Sequence, residues 1–304
     1  DRFNNIVWIK NLDGTPNVLE IEKYLEKYPN LSEEFIRIEK EEFNYDFIIS
    51  DFVPEAFKVS KQNKKPAFGV AHFTWDWFFL NIINNNHTFF KYIKSYINSM
   101  DTLYVPPFTP KEILASKSKK IKEVPLIVSS DIKDIKLLNK NKFNILIMDS
   151  GGSVLHDLIN SILIQLNVNA FDDFQFYISS KFGFELDHVT AIDENELFVD
   201  YIPKMDLVIG RAGFNTISEC IAYRTPLLML TEENNPEMAS NINYMLKTNL
   251  CGMVSKDLLL NDFETCLKSF IDTEYKIILD NLESHDYRID GARVIAEDIL
   301  NIIT

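Results

Sequence analysis

Short apolar runs recur along the chain, each closing on a turn or polar signal and giving way to apolar residues at helical spacing. The runs FIIS (Phe47 to Ser50), PAFGVAH, TLYV, PLIVSS, FNILIMD, FQFYIS, DLVIG and PLLML read as strands. Segments between them, such as SVLHDLINSILIQL, read as amphipathic helices. Strands that are apolar on both faces and alternate with helices predict a parallel sheet covered on two sides, so the fold class is α/β. The closing pattern DGARVIAEDILNII predicts a helix over residues 291–303, with Val294, Ile295, Ile299 and Ile302 on roughly one face.

The stretch from Val105 to Leu137 breaks this rhythm. VPPFTP, the lysine-rich KSKKIKE and VPLIVSSDIKDIK supply the prolines and charge of a linker. They divide the chain into an N-terminal domain over residues 1–130 and a C-terminal domain over 131–304 that includes the closing helix. A length of 304 residues accommodates two domains, and 46% hydrophobic residues supply a core for each. The net charge of -14 argues against nucleic acid as a partner, yet a local nest of backbone N–H groups can still hold one small anion. Three cysteines, none in a C-x-x-C spacing, fit a reducing compartment without structural zinc, and no other metal-ligand cluster stands out. FGVAHFTWDWFFLNII is too short for a transmembrane segment and is interrupted by His72 and Asp76. The opening residues do not read as a signal peptide, and the expected location is cytoplasmic.

Only nine glycines are available, yet two loops at strand ends use four of them. Gly151 and Gly152 precede a helix expected to start near Ser153. Gly210 ends a strand, and Gly213, Phe214, Asn215 and Thr216 lead into the helix that holds Glu219. Ligands of open parallel sheets bind beyond the carboxyl ends of strands, and unpaired N–H groups at a helix start favour an anion. Each loop alone reads equally as a turn, and Glu219, three residues after Thr216, reads equally as a capping-box partner. Two such loops in one half point to an anion or nucleotide at the strand ends.

An aspartate-led strand, a small-residue and glycine loop, Thr-x-x-Glu, a short helix, Pro and an apolar strand together read DLVIGRAGFNTISECIAYRTPLLML here. This pattern resembles the GT-B glycosyltransferases, most of all the peptidoglycan-precursor N-acetylglucosaminyltransferase group. EENNPEMASNINYMLKTNLCGMV is similar to that group's Glu-Gln-x-x-Asn-Ala element, MDSGGS to its Gly-Gly-Ser loop and DGARVIAEDIL to its closing helix. The resemblance runs from Phe143 to the end. It implies two Rossmann-like domains facing a cleft, and a donor that is a nucleoside-diphosphate sugar, uridine-linked, bound without metal or other cofactor. By the same resemblance, Gly151, Gly152 and Ser153 lie against the diphosphate or sugar, and Gly213, Phe214, Asn215 and Thr216 cap the diphosphate. Glu219 takes the ribose diol, Asn234, Glu237 and Asn241 face the sugar or the helix end beside it, and Arg211 matches a basic residue before the loop. Met238 stands where the family has glutamine.

FIISDFVPEAFKVSKQNKKPAFGVAHFTWDWFF is similar to the N-terminal half of GT-B proteins related to the glycosyltransferase-like part of arabinose kinases. The likeness puts Asp51 and His72 at successive strand ends with Asp76 just beyond, the three being candidates for the base that deprotonates an acceptor hydroxyl, while Trp77 to Phe79 read as core. The family opens with a strand and a Gly/His-containing loop. This chain starts past that point: either the sequence begins downstream of the protein's true start, which is the expectation, or the loop has been lost. The implied activity is sugar transfer. A nucleotide-sugar hydrolase or epimerase, and a non-catalytic sugar-nucleotide sensor or scaffold subunit, remain open.

Overall fold

The computed structural model describes residues 9–11, 15–42, 44–83, 87–115, 121–129, 141–148, 155–168, 171–231 and 234–304, and within them the apolar runs form two parallel sheets. The first has β1 (Ile48–Ser50), β2 (Ala67–Val70), β3 (Thr102–Val105) and β4 (Ile121–Glu123), side by side in chain order. The second contains β5 (Phe143–Ile147), β6 (Phe174–Ser179), β7 (Val189–Ile192), β8 (Leu207–Arg211), β9 (Leu227–Leu230) and β10 (Gly252–Val254). Its order is β10-β9-β8-β5-β6-β7, with every neighbouring pair parallel. The chain thus builds outward from β5 through β6 and β7, then returns to the other side of β5 for β8. That reversal between β5 and β8 is the switch point at which doubly wound sheets bind ligands.

By contacts the described residues separate into two units, the first comprising Asp1–Pro125, Asn234–Glu237 and Asp290–Thr304, the second Leu126–Glu233 and Met238–Ile289. In the first, the helix Val18–Glu42 buries Ile21, Leu25, Tyr28, Ser32 and Ile36 on one stripe at three- and four-residue spacing. The helices Pro54–Gln62 and Thr88–Ile97 pack beside it, with Phe57, Phe79, Phe89 and Ile93 fully buried. The closing helix Gly291–Ile303 groups with this unit, whereas the sequence reading put it with the second half. Asp298 ties it down by accepting from the Tyr104 hydroxyl at 2.5 Å and from the Lys122 ammonium. Ile295 and Ile299 are buried, but Ile302 is 42% exposed, so the apolar face is narrower than its spacing predicts.

The segment read as a linker contains β4, and PLIVSS forms no strand over its described residues 125–129. Lys122 sits within β4 because Asp298 neutralises it, which composition does not reveal. Leu126 is fully buried in irregular chain, its N–H donating to the Arg288 carbonyl at 3.0 Å. In the second unit β10 depends on Gly252, where a Cβ would stand 2.2 Å from the Phe270 ring. No helix among the described residues is long and apolar enough to cross a membrane.

Candidate functional site

The loop carrying Gly151, Gly152 and Ser153 lies outside the described residues. The second-unit site is therefore built from β8. The Met148 N–H, just past β5, donates to the Ile209 carbonyl at 2.9 Å, and a Cβ on Gly210 would meet Met148 at 3.4 Å. A Cβ at that distance is in ordinary contact, so the pairing of the two strands at the switch point does not require a glycine here. Arg211 closes β8 in register with Leu230 and is partly exposed. Two residues later the helix Phe214–Ala222 begins, capped by Gly213 in extended conformation with no side-chain acceptor. A helix start of this kind presents N–H groups to whatever anion approaches. Phe214 is 8% exposed and anchors the first turn in the core.

Because the helix starts at Phe214, Thr216 is its third residue and not its cap. The capping-box alternative for Glu219 is therefore ruled out. Glu219 is half-buried, and its carboxyl has no hydrogen-bond partner among the described residues. Burial alone pushes its pKa up to about 7. A carboxylate offers only acceptors, which suits a pair of hydroxyl donors. Asn241, 2% exposed, donates its amide to the Ala212 carbonyl at 2.8 Å and so holds the loop from behind. Its role is positioning. Met238 is buried, with its methyl 4.0 Å from where a Gly213 Cβ would stand. Asn234 is exposed.

In the first unit β1 and β2 are parallel neighbours, so the loops that follow them emerge from the same edge. Asp51 is exposed at the end of β1. The Val53 N–H donates to the Ser50 hydroxyl at 2.8 Å, and the buried Phe52 is held at φ 44°, a left-handed conformation that non-glycine residues adopt at a cost. The Trp75 indole donates to the Phe52 carbonyl at 3.1 Å, tying the two loops together. His72 Nε2 lies 3.0 Å from Glu237 Oε1, each side chain 18% exposed, and the Phe73 ring meets the imidazole edge-on at 4.9 Å. Asp76 buries Oδ1 without a hydrogen-bond partner. Phe78 and Phe79 are core, as read from the sequence, while Trp77 is partly exposed.

Asp51 and His72 thus follow the neighbouring strands β1 and β2, Asp76 lies in the first turn of the helix Trp75–Leu80, and Glu237 stands beside His72. The structure gathers Arg211, Gly213 to Thr216, Glu219 and Asn241 around the end of β8. The strained Phe52 and the tie from Trp75 carry no signal in the sequence.

The two parallel-sheet units have the fold of the GT-B glycosyltransferases. Superposition on the calicheamicin glycosyltransferase CalG4 gives a TM-score of 0.61 at 11% identity, covering 97% of this chain and 81% of that one. Phytolacca americana UGT2, in complex with UDP-2fluoro-glucose and pterostilbene, gives 0.63 at 10% identity, covering 94% and 83%. At such identities the likeness is one of fold. Residues 144–281 match the glycosyltransferase family 28 C-terminal domain. Over 171 residues it is 32% identical to the UDP-N-acetylglucosamine--N-acetylmuramyl-(pentapeptide) pyrophosphoryl-undecaprenol N-acetylglucosamine transferase of Thermosipho melanesiensis, covering 53% of this chain and 50% of that protein. The enzyme of the same name from Thermosipho africanus is 32% identical over 103 residues, 33% of this chain and 30% of that protein. The chain spans half or less of the length of these curated relatives.

Proposed function

We propose that this protein is a glycosyltransferase that moves a sugar from a uridine diphosphate sugar to an acceptor hydroxyl without a metal ion. The observation that carries the reading is the end of β8 at the strand-order reversal, where one helix offers an uncapped start and the partnerless carboxyl of Glu219. The names of the Thermosipho relatives specify a UDP-N-acetylglucosamine donor and support uridine as the base. The diphosphate sits against the N–H groups at Gly213 to Thr216, and the ribose hydroxyls donate to Glu219. As the acceptor oxygen attacks the anomeric carbon, the bond to the diphosphate breaks, and the helix start takes up the charge that develops there. The acceptor proton passes to a base of the first unit. His72 is favoured over Asp51 and Asp76, because the Glu237 carboxylate orients its ring and would stabilise the imidazolium. Three free thiols support a reducing compartment, the cytoplasm, as the place of action.

Thermal unfolding of the full-length protein against a panel of nucleotides and nucleotide sugars tests the donor site. A ligand at a hundred times its Kd adds about 2.7 kcal/mol. The expected result is a rise with uridine diphosphate sugars that disappears in Glu219→Ala. Equal stability with every nucleotide would overturn the proposal.

A further inference from the structure

Three helices of the first unit line an open surface groove of about 610 Å³ whose lining includes none of the strand-end loops. Arg37 and Lys40 come from the helix Val18–Glu42, one turn apart; Lys58 comes from Pro54–Gln62 and Lys91 from Thr88–Ile97. No carboxylate forms an ion pair with any of the four among the described residues. The single carboxylate in the lining, Glu33, already accepts from the Tyr92 hydroxyl at 2.9 Å. Two further lining residues carry hydroxyls: Tyr96, 3% exposed, shares a hydrogen bond with Ser32 at 3.0 Å, and Ser95 is exposed.

This charge balance is the reverse of the protein's own. The chain carries -14 overall, yet here four cations face one carboxylate. Like charges converging on one groove repel, and an anion among them turns that repulsion into attraction. Guanidinium and ammonium groups from three directions suit phosphate oxygens, the arginine by a two-point fork and the lysines as point charges. The volume falls in the range of small-molecule sites. The acidic remainder of the surface repels extended polyanions, which disfavours nucleic acid or an anionic lipid surface as the occupant.

We propose that this groove binds a small, soluble phosphorylated molecule carrying at least two negative charges, at a site additional to the strand-end one. Such a ligand would clamp the three helices together and so link the stability of the first unit to its concentration.

Calorimetric titration of the full-length protein with inorganic pyrophosphate tests this directly. Arg37→Ala/Lys91→Ala and Lys58→Glu change exposed or half-exposed side chains, and circular dichroism checks that both variants fold. Binding is expected to weaken at least about tenfold in each, the scale of one lost charge-assisted contact. It should survive when the strand-end site is saturated with UDP-N-acetylglucosamine, and should weaken as salt rises. Three results would overturn the proposal. One is no heat at millimolar pyrophosphate. Another is equal affinity in the wild type and the double variant, with loss only when UDP-N-acetylglucosamine is present. The third is no pyrophosphate binding, together with pelleting on phosphatidylglycerol vesicles that depends on Arg37 and Lys91, which assigns the cations to a membrane surface.

Discussion

Replacing Glu219 by glutamine separates what this side chain costs the fold from what it contributes to binding. The carboxyl has an ordinary pKa of 4.5 in the unfolded chain and about 7 in the folded one, from burial alone. Between those two values the folded state keeps a proton that the unfolded state has released, so stability falls as pH rises through this window. Below it both states are protonated and nothing is lost; above about 7 the loss is complete. At 1.36 kcal/mol per pH unit the full loss is about 3 kcal/mol, and partial solvation of the carboxyl brings it to roughly 1.5 kcal/mol. Glutamine keeps the shape and never ionises. Glu219→Gln is therefore expected to melt with the wild type at about pH 4.5 and roughly 3–6 °C above it at about pH 8. Its affinity for a uridine diphosphate sugar should fall about 10- to 100-fold, the worth of hydrogen bonds to a charged acceptor. Wild-type affinity should improve about tenfold from about pH 6 to about pH 8 as the carboxyl ionises, while the variant stays flat. Melting curves across this range, paired with titrations of UDP-N-acetylglucosamine, read both effects. Wild-type and variant melting temperatures that run parallel with pH would refute the claim that Glu219 is ionised against burial.

Asn241→Ala leaves the buried Ala212 carbonyl without its donor and should cost about 1–3 kcal/mol in urea unfolding, with nucleotide affinity falling as the loop loosens. Gly252→Ala should destabilise by at least about 1–3 kcal/mol, and more than Gly69→Ala, in the same assay. At Gly252 the new Cβ meets a buried aromatic ring, whereas at Gly69 its nearest neighbour is the flexible Met100 side chain. Asp298→Asn weakens the tie of the closing helix to Tyr104 and Lys122, and limited proteolysis should then release the C-terminus sooner than in the wild type.

The elements legible in the sequence are those whose signal is local. β3 and β9 are buried along their whole length, and an unbroken apolar run is what such a strand looks like. β4 hid because its central lysine is neutralised by Asp298, far along the chain, so a lysine-rich stretch passed for a linker. The helix Val18–Glu42 hid for another reason: its buried stripe includes Tyr28 and Ser32, which find partners in Glu55 and Tyr96, and Pro29 interrupts the pattern. Polar atoms count as core only once their partners are known.

The candidate site divides along the same line. Glycines at strand ends are local features, so the β8 loop was visible; which strands flank it was not, because strand order is a property of pairing. Thr216 and Glu219 show the limit most sharply. Their spacing fits a capping box and a ribose contact equally well, and what decides is where the helix begins. The helix begins at Phe214, which takes Thr216 off the cap, and Glu219 is half-buried with no hydrogen-bond partner among the described residues. A carboxyl held there costs stability and gains nothing inside the protein. On the proposed reading the compensation comes from a ligand that donates to it, so the pH dependence of Glu219→Gln bears on function as well as on folding.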